Sequence, residues 1–89
     1  MIRTTTLVLD VLKPHRPGVT EFARRIAGVG EDYRVHLAVE EVDEKTETLR
    51  LEISGLSLDI EAIEAAIKSM GGSLHSVDEV VAQNVPESG

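Results

Sequence analysis

The 89-residue sequence predicts an α+β domain in which a four-stranded antiparallel sheet carries two helices on one face. Three observations predict it. Four segments alternate apolar with polar residues, two segments repeat apolar residues every three to four positions, and turn residues separate the six in the order β-α-β-β-α-β.

The first strand is read over residues 3–12, RTTTLVLDVL, which is β-branched and alternating, with Leu7, Leu9 and Val11 on one face and Thr6, Val8, Asp10 and Leu12 on the other. KPHRPG is expected to stop it, because its two prolines do not fit a central strand. From Pro17, suited to a first helical turn, Val19, Phe22, Ile26 and Val29 recur at helical spacing, and Gly28 and Gly30 mark the exit. YRVHLAVEEV alternates through Tyr33, Val35, Leu37 and Val39, then jumps three places to Val42, which predicts a β-bulge near Glu40 and Glu41. DEKT turns the chain. In ETLRLEISG, Leu49, Leu51 and Ile53 point inward and Thr48, Arg50, Glu52 and Ser54 outward, so the two segments form a hairpin. Asp59 caps the second helix, with Leu58 stapling onto Ile63 and a buried stripe of Ile60, Ile63, Ile67 and Met70. Gly71 ends that helix in a left-handed conformation, and GGSLHSVDEVV supplies the last strand.

This order is the split βαβ arrangement of the ferredoxin-like sandwich, in which the first and last strands are antiparallel neighbours and one sheet face stays open. A single domain over 1–89 is expected, with a frayed tail over 84–89. Val77 and Val81 are assigned to the helix side. That turns Ser76, Asp78 and Val80 to the open face beside Thr6, Val8 and Asp10, and brings the carboxylates of Asp10 and Asp78 together. His15, in the loop after the first strand, is expected near His75. Lys13 and Arg16 read as solvent-facing charges, and His36 as structural.

A domain of this size buries roughly 60–65% of its unfolded surface and is stabilised by about 4–13 kcal/mol, so association would be a natural supplement. With no cysteine, disulfides, thiolate metal sites and thiol nucleophiles are excluded. The net charge of −7 is uneven: +2 over residues 1–36 and −9 over 37–89. The acidic half repels nucleic acid and anionic membrane, and Phe22 and Tyr33 are too few aromatics to stack bases. No apolar run approaches the roughly 18 residues that span a bilayer and no signal-peptide pattern is present, so the cytoplasm is the expected location.

Metallochaperone, ferredoxin and RNA-recognition chemistry all need residues that are missing here. An acylphosphatase-like site would need an asparagine on the hairpin, whereas the single asparagine is Asn84. Ser73 and Ser76 flank His75 without the signature of a nucleophile elbow. LVLDVLKPHRP and GGSLHSVDEVVA resemble the two signature segments of the archaeal domain-of-unknown-function 211 family. The resemblance implies small ferredoxin-like proteins that form ring-shaped homo-oligomers, and it carries no catalytic residues to transfer. The polar residues on the matching positions are Asp10, Lys13, Pro14, His15, His75, Asp78 and Glu79. The leading expectation is therefore a non-enzymatic homo-oligomer larger than a dimer. Its Asp10, His15, His75, Asp78 and Glu79 would bind a divalent cation or contact a neighbouring subunit, with oxygen ligands favouring Ca²⁺ or Mg²⁺ and histidine favouring Zn²⁺ or Ni²⁺. The alternative is a regulatory module resembling the ACT domain, which shares the element order and binds a small ligand such as an amino acid at a subunit interface.

Overall fold

A computed structural model of the chain describes residues 1–86. The elements are β1 (Ile2–Pro14), α1 (Val19–Ala27), β2 (Arg34–Val42), β3 (Thr46–Ser54), α2 (Ile60–Ser69) and β4 (Ser73–Asn84). The sheet order is β2-β3-β1-β4 with every neighbouring pair antiparallel, which is the ferredoxin-like arrangement expected from the sequence.

One face of the sheet is dry. Leu7, Leu9 and Val11 of β1 and Leu49, Leu51 and Ile53 of β3 pack against Phe22 and Ile26 of α1 and Ile63 and Ile67 of α2. Each such side chain contributes about 1.5–3 kcal/mol when fully buried. The helix ends follow local chemistry. Gly18 precedes α1, where Glu21 in the first turn and Arg24 and Arg25 in the last suit the helix dipole. Asp59 caps α2 by accepting from the Ala62 backbone N–H at 3.1 Å. At the exit, the N–H of Gly72 donates to the Ile67 carbonyl and that of Gly71 to the Lys68 carbonyl, both at 3.0 Å, with Gly71 at φ +81°. These paired bonds form a Schellman motif.

Several local expectations need correction. β1 does not stop before KPHRPG: Lys13 and Pro14 remain paired with Glu47 and Thr46. Proline is tolerated there because its missing donor falls at the strand's last residue. Pro17 follows a cis peptide and precedes the helix rather than opening it. Lys13 is not solvent-facing but fully buried, because it continues the inward series Leu7, Leu9, Val11. At the start of the tail expected over 84–89, Asn84 pairs with Ile2 and Val85 exchanges backbone hydrogen bonds with Met1 at 2.7 and 3.0 Å. Residues 87–89 of that tail lie outside the described residues.

β1 and β4 are long, and they set the outline. Beyond the end of β3 the carbonyls of Thr5 and Thr4 accept from the Gly55 and Leu58 N–H groups at 3.2 and 2.8 Å, and past these Ile2 and Arg3 pair with β4 as a short two-stranded ribbon. The molecule measures 54 × 22 × 17 Å, with a radius of gyration of 13.6 Å against about 12 Å for a compact chain of this length.

Candidate functional site

The ladder between β1 and β4 slips three times. Val8 faces Glu79 while Leu9 faces Val77, passing over Asp78; Asp10 faces Ser76 while Val11 faces Leu74, passing over His75. Nearer the ribbon tip, Thr5 is passed over on β1. His75 and Asp78 are therefore the extra residues of two β-bulges, and each bulge presents two successive polar residues where a regular strand would present one. The parity of β4 is changed accordingly. Val77 stands on the helix side with Leu9, as expected, but Val80 joins it there opposite Leu7, and Val81 crosses to the open face opposite Thr6. The assignments of Val80 and Val81 made from strict alternation are thus reversed by the bulge at Asp78.

The open face is built around Arg50 of β3, the cross-strand partner of Asp10. Its guanidinium stands 3.8 Å from Glu52 and 3.9 Å from Glu79, the two carboxylates that flank Val8 on either neighbouring strand. This explains how Val8 is only 3% exposed on the uncovered side of the sheet: the arginine and its partners lie over it. The pairs are themselves partly exposed and add little stability. Asp10 and Asp78 are not directly opposed; Ser76 occupies the place across from Asp10, and its hydroxyl donates to Asp78 Oδ1 at 2.7 Å. His75 and Asp10 do share a surface, a cavity of about 200 Å³ completed by Leu12 and Thr48. Asp10 Oδ1 itself is shielded from solvent and has no hydrogen-bond partner.

His15 belongs elsewhere. Its Nε2 lies 2.9 Å from the Glu44 carbonyl and its Nδ1 3.9 Å from Glu47, so the loop turns toward the β2–β3 hairpin and not toward His75. There it borders the buried Lys13, whose ammonium donates to Glu47 at 2.5 Å, to the Pro14 carbonyl at 2.8 Å and to the His15 carbonyl at 3.5 Å. Three acceptors satisfy an ammonium's three protons, and the Phe22 ring lies 5.9 Å below. The hydrogen bond from Lys13 holds the Glu47 carboxyl below its ordinary value of 4.5, against the opposing effect of burial and with help from the charges of Lys13 and His15. This cluster clamps the end of β1 to the start of β3.

The five side chains expected to act together are therefore divided: Asp10 and His75 on one cavity, Asp78 with Ser76, Glu79 with Arg50, and His15 on the hairpin clamp. Among the described residues no three histidine, aspartate or glutamate side chains stand close enough to hold a metal ion together. Asp10 and His75 alone fall short of the four ligands of Zn²⁺ or the six to eight of Ca²⁺. Alternation in the sequence turns Arg50, Glu52 and Thr48 outward, but nothing in it links them to Asp10. Pairing across β1 makes that link.

No helix among the described residues is long and apolar enough to cross a membrane. The family model described as "Uncharacterized ArCR", domain of unknown function 211, matches residues 5–85. The uncharacterized protein MJ0319 of Methanocaldococcus jannaschii is 42% identical over 76 residues, a span covering 85% of this chain and 78% of that protein.

Proposed function

The chain belongs to the archaeal domain-of-unknown-function 211 family, and from that premise we propose that it is a non-catalytic module working as a homo-oligomer larger than a dimer. The observation that carries this reading is β4, a 12-residue edge strand with only β1 beside it. Val77, Val80 and Val81 along it are 45%, 57% and 45% exposed. An edge of that length with apolar side chains invites pairing with another chain, and a small domain gains stability from it. Light scattering at micromolar concentration is expected to give a mass above twice 9.7 kDa; a monomer mass would end the proposal.

The unpartnered oxygen of Asp10 supports a second, compatible reading, in which the Asp10–His75 cavity takes a small ligand once neighbouring copies add further groups. A carboxylate oxygen hidden from water needs a donor or a cation. A divalent cation completed by a second copy fits that need, and so does the ammonium group of an amino acid, as in the ACT-like alternative. Thermal shift with Ca²⁺, Mg²⁺, Zn²⁺ and a panel of amino acids, before and after chelation, separates the two. Stabilisation by a metal salt that Asp10→Asn abolishes supports the cation; stabilisation by an amino acid in the chelated protein supports the small ligand. No shift with any of them, together with a neutral or mildly stabilising Asp10→Asn, leaves the carboxylate as part of the polar face alone.

A further inference from the structure

The structure points to how copies would join: we propose that the β4 edge of one copy pairs with the β2 edge of the next, head to tail, with Val77 and Val80 seated in the groove between α1 and β2. This rests on the homo-oligomeric reading above and specifies its contact surface.

Three features of the two edges agree. The first is direction. β2 runs with β1 and β4 runs against it, because each neighbouring pair in the order β2-β3-β1-β4 is antiparallel. A second copy set beside the first in the same orientation therefore brings an antiparallel β2 against β4, and both open edges are used in one repeating contact.

The second is the apolar fit. Followed across the sheet, Val35 lies in one row with Ile53, Leu7 and Val80, and Leu37 in one row with Leu51, Leu9 and Val77. A neighbour placed without slip along the strands thus sets Val80 level with Val35 and Val77 level with Leu37, all four on the helix side. Val35 and Leu37 floor an open groove of about 400 Å³ whose other wall is Val19, Ala23 and Arg24 of α1. Val77 and Val80, exposed at 45% and 57%, are two branched side chains of a size to enter it. The bulge at Asp78 is what places both on that side.

The third is charge. In the same rows His36 stands level with Glu79, and Arg34 with Val81, one pair further along the open face. The basic start of β2 would meet the acidic middle of β4. Pairing β4 with another β4 would instead gather Asp78 and Glu79 of both copies on one edge that has no lysine or arginine.

The test exchanges the charges and reads mass by sedimentation velocity. One variant carries Arg34→Glu and His36→Glu, a second Asp78→Arg and Glu79→Arg, and a third all four. The first two are expected to dissociate when alone, with association at least about 100-fold weaker. The fourfold variant by itself should recover the wild-type mass, and a mixture of the two should associate in strict alternation, hence with an even number of copies, because each acidic edge then meets a basic one. Circular dichroism melts establish that each variant is folded. Should the Asp78/Glu79 pair fail to fold, owing to the Glu79–Arg50 contact, the Arg34/His36 variant decides alone: dissociation supports the pairing and wild-type mass overturns it. A wild-type oligomer indifferent to the swaps, or a folded mixture that stays apart, overturns the edge pairing while leaving self-association standing. A monomeric wild type overturns both.

Discussion

Replacing Gly71 by alanine tests the junction that launches β4. Gly71 has φ +81°, a conformation in which a Cβ crowds its own backbone at a cost of about 1–2 kcal/mol. The added methyl would also lie 3.3 Å from Cγ of Pro14, close enough that the proline ring must yield by a few tenths of an ångström. The alternative, relaxing φ, would break the two 3.0 Å bonds by which Gly71 and Gly72 satisfy the last carbonyls of α2. Either route destabilises the folded state by at least the conformational penalty. For a chain of this length about 1–2 kcal/mol lowers Tm by roughly 4–16 °C, measurable by calorimetry. Two comparisons isolate the cause. Asparagine tolerates the left-handed region better, so Gly71→Asn should cost less than Gly71→Ala. Gly18→Ala, at φ −68° and with nothing within 4 Å of a Cβ, carries no such strain and should cost only the weaker N-cap, about 0.5–1 kcal/mol and less than Gly71→Ala. Equal losses for alanine and asparagine, or an unchanged Tm for Gly71→Ala, would refute the conformational argument and with it the placement of this turn.

Glu47 predicts an acid limb in the stability curve. Its folded-state pKa is lowered, so the stabilisation it brings is fully present above 4.5 and is lost as pH falls from there through the folded value; the Tm gap between wild type and Glu47→Gln should be constant near neutrality and close in that window, and a gap independent of pH would contradict the clamp. Asp59→Ala removes the side-chain acceptor for the Ala62 N–H and should cost about 1 kcal/mol in urea unfolding, whereas Asp59→Asn, which keeps an acceptor, should cost little. Phe22→Ala empties a fully buried site and takes away the ring beneath the Lys13 ammonium, so a loss of about 3–5 kcal/mol is expected, and a loss below about 1 kcal/mol would mean that the core closes over the gap.

How much of this was legible depends on whether periodicity or pairing decides. The helices and central strands follow from spacing alone, and even the bulge in β2 was readable, because Val39 and Val42 lie three apart and the ladder duly passes over Glu40. The same signal was present in β4, where Leu74, Val77 and Val80 also recur every three residues, and all three stand on the helix side. It was masked because His75, Ser76, Asp78 and Glu79 between them allow strict alternation to be drawn as well. Lys13 was readable by parity, as the next inward position after Val11, and so was Glu47 before Leu49; their union required the β1–β3 register, which joins residues 34 apart in sequence. The direction of His15 carried no sequence signal, since a loop has no period.

A physical reason underlies where alternation fails. Every slip occurs in a ladder that includes an edge strand, and the β1–β3 ladder at the centre has none. An extra residue in a central strand would disturb two ladders at once, whereas in β2 or β4 it disturbs one. The exception on β1 obeys the same logic, because Thr5 is passed over where the β1–β3 ladder has ended and the loop N–H of Gly55, not a strand, bonds its carbonyl on that side. The irregular positions of this sheet are thus confined to the strands that can bear them. Those same strands carry His36, His75 and the exposed valines Val39, Val42, Val77, Val80 and Val81. On this sheet the passed-over residues Glu40, His75 and Asp78 share the two edge strands with the exposed valines, whereas the unpartnered oxygen of Asp10 lies on central β1, so alternation fails where the backbone has a free side and not where a polar group is hidden.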